Sequence, residues 1–262
     1  MTVRTVAVTG SASGIGAAVA GRLRADGARV VGVDLRDAEV IADLAGAEGR
    51  ARAVSAVAEA AAGRIDALVA CAGLGPHVRP TSMIAAVNYF ATVHVLDGVL
   101  PLLGAAAGEP DGGHRPAAVV ISSNSAGITP RDDLLLAAME AGDEPGALAR
   151  ADEIDGAVVY GMSKLAVARA VRRRAEQWGA AGVRLNAVAP GPVDTPLLAA
   201  SRADPTYGPL VEALPIPLGR RAAPEEIASV VNFLLGPGAG YVHGSVLFAD
   251  GGSDAQLRPE AV

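Results

Sequence analysis

The sequence predicts one α/β domain of the doubly wound kind, with a seven-stranded parallel sheet flanked by helices on both faces. Three observations predict it. Seven short apolar runs recur along the 262 residues, most of them almost continuously apolar rather than alternating. Strands covered on both faces have this character. Ala-rich helical stretches lie between most of the runs, and that alternation implies parallel crossovers. A glycine-rich turn joins the first run to the first helical stretch.

The strands are expected at 3–9, 29–34, 40–44, 66–72, 117–122, 183–188 and 245–249. The helices are expected at 14–26, 51–63, 81–105, 159–180 and 224–235. Two places break the alternation. Only eight residues separate Asp34 from Asp43, too few for a crossover helix, so a loop is expected there. The segment 130–156 is long, and its run Gly142-Asp143-Glu144-Pro145-Gly146 splits it into two short helical pieces. No repeat, low-complexity tail or linker is seen, so 1–262 is expected to be one domain.

Composition excludes several classes of function. A hydrophobic fraction of 51% is too high for a disordered chain. The net charge is −6, and Arg172-Arg173-Arg174 is the densest basic run. Three adjacent helical positions point to different faces, so no nucleic-acid footprint is expected. Segment 130–156 holds eight acids against Arg131 and Arg150, so the other 235 residues are formally neutral. It is expected to be a solvated acidic insertion over the pocket. Cys71 is the only cysteine, and the four histidines (His77, His94, His114, His243) show no ligand spacing, so no metal is expected. The uncharged stretch 227–249 is interrupted by Gly236-Pro237-Gly238-Ala239-Gly240 and is read as helix, turn and strand rather than a membrane span. Residues 1–8 do not resemble a leader, so a cytoplasmic protein is expected.

Thr9-Gly10-Ser11-Ala12-Ser13-Gly14-Ile15-Gly16 lies between a strand and a helix. Gly10 lets the chain turn off the strand, Gly14 lets the backbone approach a pyrophosphate, and Gly16 lets the helix pack closely. Ser13 and Ile15 complete the turn, whose free N–H groups would face the anion. Asp34 ends the second strand, 20 residues after Gly14. A carboxylate there accepts from ribose hydroxyls and repels a 2′-phosphate, which favours NAD over NADP. Arg36 is the one nearby base that could serve a phosphate.

Tyr160 and Lys164 are four apart in a helical stretch and share a face. An ammonium near a phenol is expected to lower its pKa and prepare it for proton exchange with an alcohol or carbonyl oxygen. The fifth strand ends in Ser122 and Ser123, hydroxyls able to bind that oxygen. Ser122 is read as structural, and Ser125 is the alternative to Ser123.

With these residues on the page, the chain resembles the short-chain dehydrogenase/reductase family over nearly its whole length. The matching pieces are TGSASGIG at 9–16, Asp34, Asp43-Leu44, CAG at 71–73, Asn88, ISS at 121–123, YGMSK at 160–164, PGPVDT at 190–195 and DGG at 250–252. The resemblance implies that Tyr160 is the acid/base and Ser123 polarises the substrate oxygen. It implies that Lys164 binds the nicotinamide ribose and that Asn88 holds a water in a proton relay. Asp43 and Leu44 would lie by the adenine, and Cys71, Ala72 and Gly73 along the cofactor. Pro190, Gly191, Val193 and Thr195 would position the carboxamide. Ala70-Cys71 stands where the family has two asparagines, a departure that bears on support of the central strands.

The stretches 31–50, 71–76, 87–93, 130–156, 182–191 and 241–244 resemble the bacterial 3α-hydroxysteroid dehydrogenase/carbonyl reductase branch. That implies interconversion of a secondary alcohol and a ketone on an apolar, steroid-like small molecule. An aryl (coniferyl-type) alcohol dehydrogenase and a catalytically silent NAD-binding regulator are the alternatives. Met162, Leu197 and Leu198 are expected to line the substrate side, and 194–218 to form a lid. Relatives imply a homodimer or homotetramer. Segment 130–156 is expected to block one interface and leave another, through the C-terminal helix and last strand.

Overall fold

The computed structural model describes residues 4–107 and 115–261. Val3, expected in the first strand, and His114 lie outside the described residues.

The elements run β1 (Thr5–Thr9), α1 (Gly14–Ala25), β2 (Arg29–Asp34), β3 (Val40–Ile41), α2 (Ala47–Ala60), β4 (Ala67–Ala70) and α3 (Ser82–Ala85). A π-helical turn, Ala86–Ala91, leads into α4 (Thr92–Ala107). Then come β5 (Ala117–Ile121), α5 (Ser125–Ile128), α6 (Asp133–Ala141), α7 (Glu144–Asp152), α8 (Gly156–Arg173), α9 (Ala175–Ala180) and β6 (Arg184–Pro190). The chain ends with α10 (Pro196–Ala203), α11 (Gly208–Glu212), α12 (Pro224–Leu235), β7 (Val246–Ala249) and α13 (Ser253–Leu257).

The seven strands form one parallel sheet in the order β3-β2-β1-β4-β5-β6-β7. Alternate side chains of β1 feed opposite layers. Val6 and Val8 pack with Val19 and Leu23 of α1 and Ile227 and Val231 of α12. Ala7 joins Val57 of α2, Leu96 of α4 and Val167 of α8. The chain crosses from one side of β1 to the other between β3 and β4. The segments that leave the carboxyl ends of β1 and β4 therefore run to opposite faces of the sheet and open a crevice at this reversal.

Several expected elements shift. The third strand is only two residues long, which leaves Asp43 and Leu44 in the loop beyond it. The expected helix 81–105 is interrupted by the π turn. Across Ser82–Ala107 it is apolar and long enough to span a membrane, but its apolar side is buried in the core, including Ile84, Leu96 and Leu103. The expected helix 159–180 breaks at Arg174 and begins earlier, at Gly156, where the Asp155 side chain accepts from the Ala157 N–H at 2.8 Å. Tyr160 thus sits in the second turn of α8 rather than at its opening.

Segment 130–156 forms two helices, as its Gly-Pro run predicts, and five of its eight acids (Asp133, Asp143, Asp152, Glu153 and Asp155) are exposed, but it is not part of the pocket wall. Asp132 caps α6 and pairs with Arg150 at 2.6 Å. Glu140 binds Arg169 and Arg173 of α8 at 3.0 and 2.6 Å. Glu144 binds Arg50 of α2, and Asp152 accepts from the Ser82 N–H. The acids dock the segment onto α2, α3 and α8, and no residue of 130–156 borders the cavity at the crevice.

Candidate active site

The glycine turn is shaped by close approach. Gly10 has φ +69°, and a Cβ on it would lie 2.8 Å from the Ala72 backbone beyond β4. A Cβ on Gly16 would overlap the Gly10 carbonyl, so α1 can seat on the end of β1 only without a side chain there. Gly14 has φ +53° and faces the Thr195 methyl across the crevice, where a Cβ would come within 3.3 Å. That Cβ would fill the cradle a pyrophosphate needs.

Asp34 Oδ2 accepts from the Ala12 N–H at 2.9 Å and Oδ1 from the Leu35 N–H at 2.7 Å. Both oxygens keep lone pairs toward the cavity that Asp34 lines. Asp43, Leu44, Ser13, Ile15, Cys71, Ala72 and Gly73 border the same cavity. The departure at Ala70-Cys71 is braced by Thr9. Its Oγ1 accepts from the Cys71 and Ala72 N–H groups at 3.1 and 3.2 Å. Burial pushes the Cys71 thiol up to about 12, so it is an inert filler.

At the end of β5 and along α8 the expected proton-transfer residues Ser123, Tyr160 and Lys164 border one cavity. Lys164 Nζ lies 5.8 Å from the centre of the Tyr160 ring and donates to the Ile121 carbonyl at 3.0 Å. Ser122 points elsewhere, its Oγ donating to the Lys164 carbonyl at 2.9 Å. The charge effect differs from the expected one. Desolvation raises the phenol of Tyr160 above its usual value, with Ser123 opposing. Desolvation also lowers Lys164 to about 8.

Asn88 stands in the π turn behind this group and does not border the cavity. Its Oδ1 accepts from the Leu74 N–H at 2.7 Å, and its Nδ2 donates to the Leu74 carbonyl and to Ser163 Oγ at 3.1 and 3.2 Å. It therefore braces the chain beyond β4. A Cβ on Gly73 would sit 3.3 Å from Asn88 Oδ1 and 3.4 Å from Lys164 Nζ, so the two side chains share one small space.

Pro190, Gly191, Val193 and Thr195 form the opposite wall. Thr195 caps α10, accepting from the Leu198 N–H at 3.2 Å. The cavity holds about 480 Å³, within the range of small-molecule sites. Leu197 and Leu198 border it. Met162 does not: it is fully buried in the core, because two residues along a helix from Tyr160 is nearly the opposite face. The expected lid 194–218 continues the apolar wall from α10 through α11 with Tyr207, Leu210 and Leu214. Sequence reasoning did not single out Tyr207, although it has the i, i+3, i+7 spacing of one helix face with Leu210 and Leu214. Among the described residues no group of three His, Cys, Asp or Glu side chains could hold a metal. His77 Nδ1 instead lies 3.1 Å from Ser201 Oγ.

A cradle at a helix N-terminus, an acid at the end of β2 and a hydroxyl-phenol pair at the end of β5 fit a dinucleotide laid across the crevice with its reactive end beside Tyr160. The comparisons agree. The family described as short chain dehydrogenase matches residues 4–131, and the one described as enoyl-(acyl carrier protein) reductase matches 147–254. The chain is 47% identical to the 3-alpha-hydroxysteroid dehydrogenase/carbonyl reductase of Comamonas testosteroni over 97% of its length and 98% of the relative's. This chain belongs to the short-chain dehydrogenase/reductase family. Another such enzyme, the cis-4-hydroxycyclohexanecarboxylate dehydrogenase of Sinomonas cyclohexanicum, is 34% identical over 96% of this chain and 97% of its own. The crystal structure of the 3-alpha-hydroxysteroid dehydrogenase from Pseudomonas sp. B-0831 complexed with NADH superposes with a TM-score of 0.93 at 43% identity, covering 98% of this chain and all of that one. As a short-chain dehydrogenase/reductase, the chain is an oxidoreductase.

Proposed function

We propose that the chain is an NAD(H)-dependent enzyme interconverting a secondary alcohol and a ketone on an apolar, steroid-like skeleton. The observation that carries this reading is that Ser123 and Tyr160 border the same cavity as Leu197, Leu198, Leu210 and Leu214. The bound nicotinamide supplies the hydride chemistry. Asp34 holds the adenosine ribose, Asp43 and Leu44 flank the adenine, and the Gly10–Gly16 turn holds the pyrophosphate. Pro190 to Thr195 set the face of the nicotinamide ring. Ser123 donates to the substrate oxygen, and Tyr160 removes its proton in oxidation or returns one in reduction. Lys164 holds the nicotinamide ribose and carries the positive charge beside the phenol. Asn88 keeps Leu74 and Ser163 in register. The lid 194–218 excludes water from the slot.

Two further readings belong with it. The exposed apolar side chains of β7 and α12 (Leu247, Phe248 and Phe233), with the neighbouring Tyr241, support a homodimer built through this edge of the sheet. A single unpaired cysteine and a nucleotide cofactor suit the cytoplasm.

The test is a direct competition. Androsterone-like and cinnamyl-like alcohols are offered together with NAD, and separately with NADP. Preferential turnover of the fused-ring alcohol with NAD supports the proposal. Preference for the aryl alcohol moves the assignment to that branch. Saturable NADH binding with no turnover of either would make the chain a silent nucleotide binder.

A further inference from the structure

The loop after β3 is held from behind by an ion pair whose arginine is buried. Asp43 and Leu44 border the cavity. The next step back is Arg50 in the first turn of α2, which is 3% exposed. Its Nε donates to the Leu44 carbonyl at 2.8 Å and its Nη2 to the Ala45 carbonyl at 2.6 Å. Its other edge meets Glu144 in a two-pronged pair: Nη1 to Oε2 at 2.9 Å and Nη2 to Oε1 at 2.6 Å. Four of the five guanidinium N–H groups are thereby used. A Cβ on Gly49 would overlap the Asp43 carbonyl, so α2 and the loop are in backbone contact as well.

Glu144 is itself fixed. It opens α7, whose N-terminus is capped by Asp143 Oδ1 accepting from the Gly146 N–H at 3.1 Å. The far end of α7 is tied to α3, where Asp152 Oδ1 accepts from the Ser82 N–H at 2.8 Å and Thr81 Oγ1 donates to the Ala151 carbonyl at 2.6 Å. Removing the carboxylate charge would leave a guanidinium buried with half its partners. A buried cation in that state is strongly unfavourable, and the cheapest relief is for the loop to open and admit water. The proton-transfer residues sit on β5 and α8, outside this chain of contacts.

We propose that Arg50 and Glu144 are a positioning pair for the adenosine half of the cofactor. Segment 130–156, through Glu144, sets how tightly the Asp43–Leu44 loop grips that half, and it does so without bordering the cavity. The inference rests on the assignment of Asp43 and Leu44 to the adenine end.

The test compares two probes on the full-length chain by fluorescence titration: NADH, and reduced nicotinamide mononucleotide, which lacks adenosine. Glu144→Gln is expected to weaken NADH about three- to tenfold and to leave the mononucleotide within about twofold. KM for NAD rises with the NADH Kd, while kcat at saturating NAD stays within about twofold. Arg50→Lys, which keeps the charge and loses the fork, is expected to act the same way and replaces Glu144→Gln should that variant not fold. Unchanged NADH affinity in the folded variant overturns the proposal. Parallel weakening of both probes also overturns it, since that is general loosening. Asp43→Ala separates the two levels of the argument. If it too leaves NADH unchanged, the adenine assignment falls. If it weakens NADH while Glu144→Gln does not, only the positioning role falls.

Discussion

At the scale of the residue, Tyr160 is the informative case. Spacing alone makes Lys164 its activator, yet burial raises the phenol and brings Lys164 down to about 8. The consequence has a definite sign. Alcohol oxidation needs phenolate, and below the pKa the ionised fraction grows about tenfold per pH unit. Oxidation kcat/KM is therefore expected to climb between about pH 6 and pH 8, above which loss of the Lys164 charge works against it, while ketone reduction, which needs the phenol protonated, does not climb. Initial rates in both directions across that range check this, and an oxidation rate that falls from about pH 6 to 8 would contradict it. Tyr160→Phe is expected to lower kcat by about 10²- to 10⁴-fold in both directions, with NADH binding within about twofold. Wild-type-like turnover in that variant would remove Tyr160 from its role.

At the scale of the element, the turn between β1 and α1 makes a graded prediction. Gly16→Ala places a methyl on the Gly10 carbonyl, and neither backbone can yield without lifting α1 off the sheet. It is expected to cost about 1–3 kcal/mol of stability, as overpacking does. Gly14→Ala meets only the movable Thr195 methyl and adds the cost of a left-handed residue, about 1–2 kcal/mol. Its main loss should appear in NADH affinity, where the methyl occupies the pyrophosphate cradle. Urea unfolding and NADH titration of the two variants separate these effects; equal losses in both assays would show that the two glycines do the same job. The strands and most of the helices were legible in the sequence because continuous apolar runs need cover on both faces. The glycine turn, Asp34, Ser123, Tyr160 and Lys164 were legible because each stands at a strand end or on one helix face. The π turn that carries Asn88 was not, because a single wider turn hardly disturbs a helical period. The placement of Met162 failed by ignoring that same period. The partners of the acids were invisible, because Arg50 and Glu144 are 94 residues apart.

At the scale of the whole molecule, β7 leaves an open edge. Leu247 is 41% exposed and Phe248 is 38% exposed, beside Phe233 of α12. An apolar edge strand invites pairing with another chain. Phe248→Arg is expected to convert a dimer into a folded monomer, read by light scattering with circular dichroism as the control for fold. A wild-type chain that scatters as a monomer at micromolar concentration would rule this assembly out. Segment 130–156 behaves differently. Its Glu140 and Glu144 meet Arg169, Arg173 and Arg50, so two of its acids are tied to cations on α8 and α2 while five others face solvent.

That arrangement constrains how such a chain can change over generations. A single deletion of 130–156 would strand the Arg50 guanidinium in the interior, whereas Arg169 and Arg173 would keep access to water. Arg50 would have to be replaced before the segment could be lost. Two helices that do not border the cavity are therefore held in place as by a ratchet, by a cation that lies outside them.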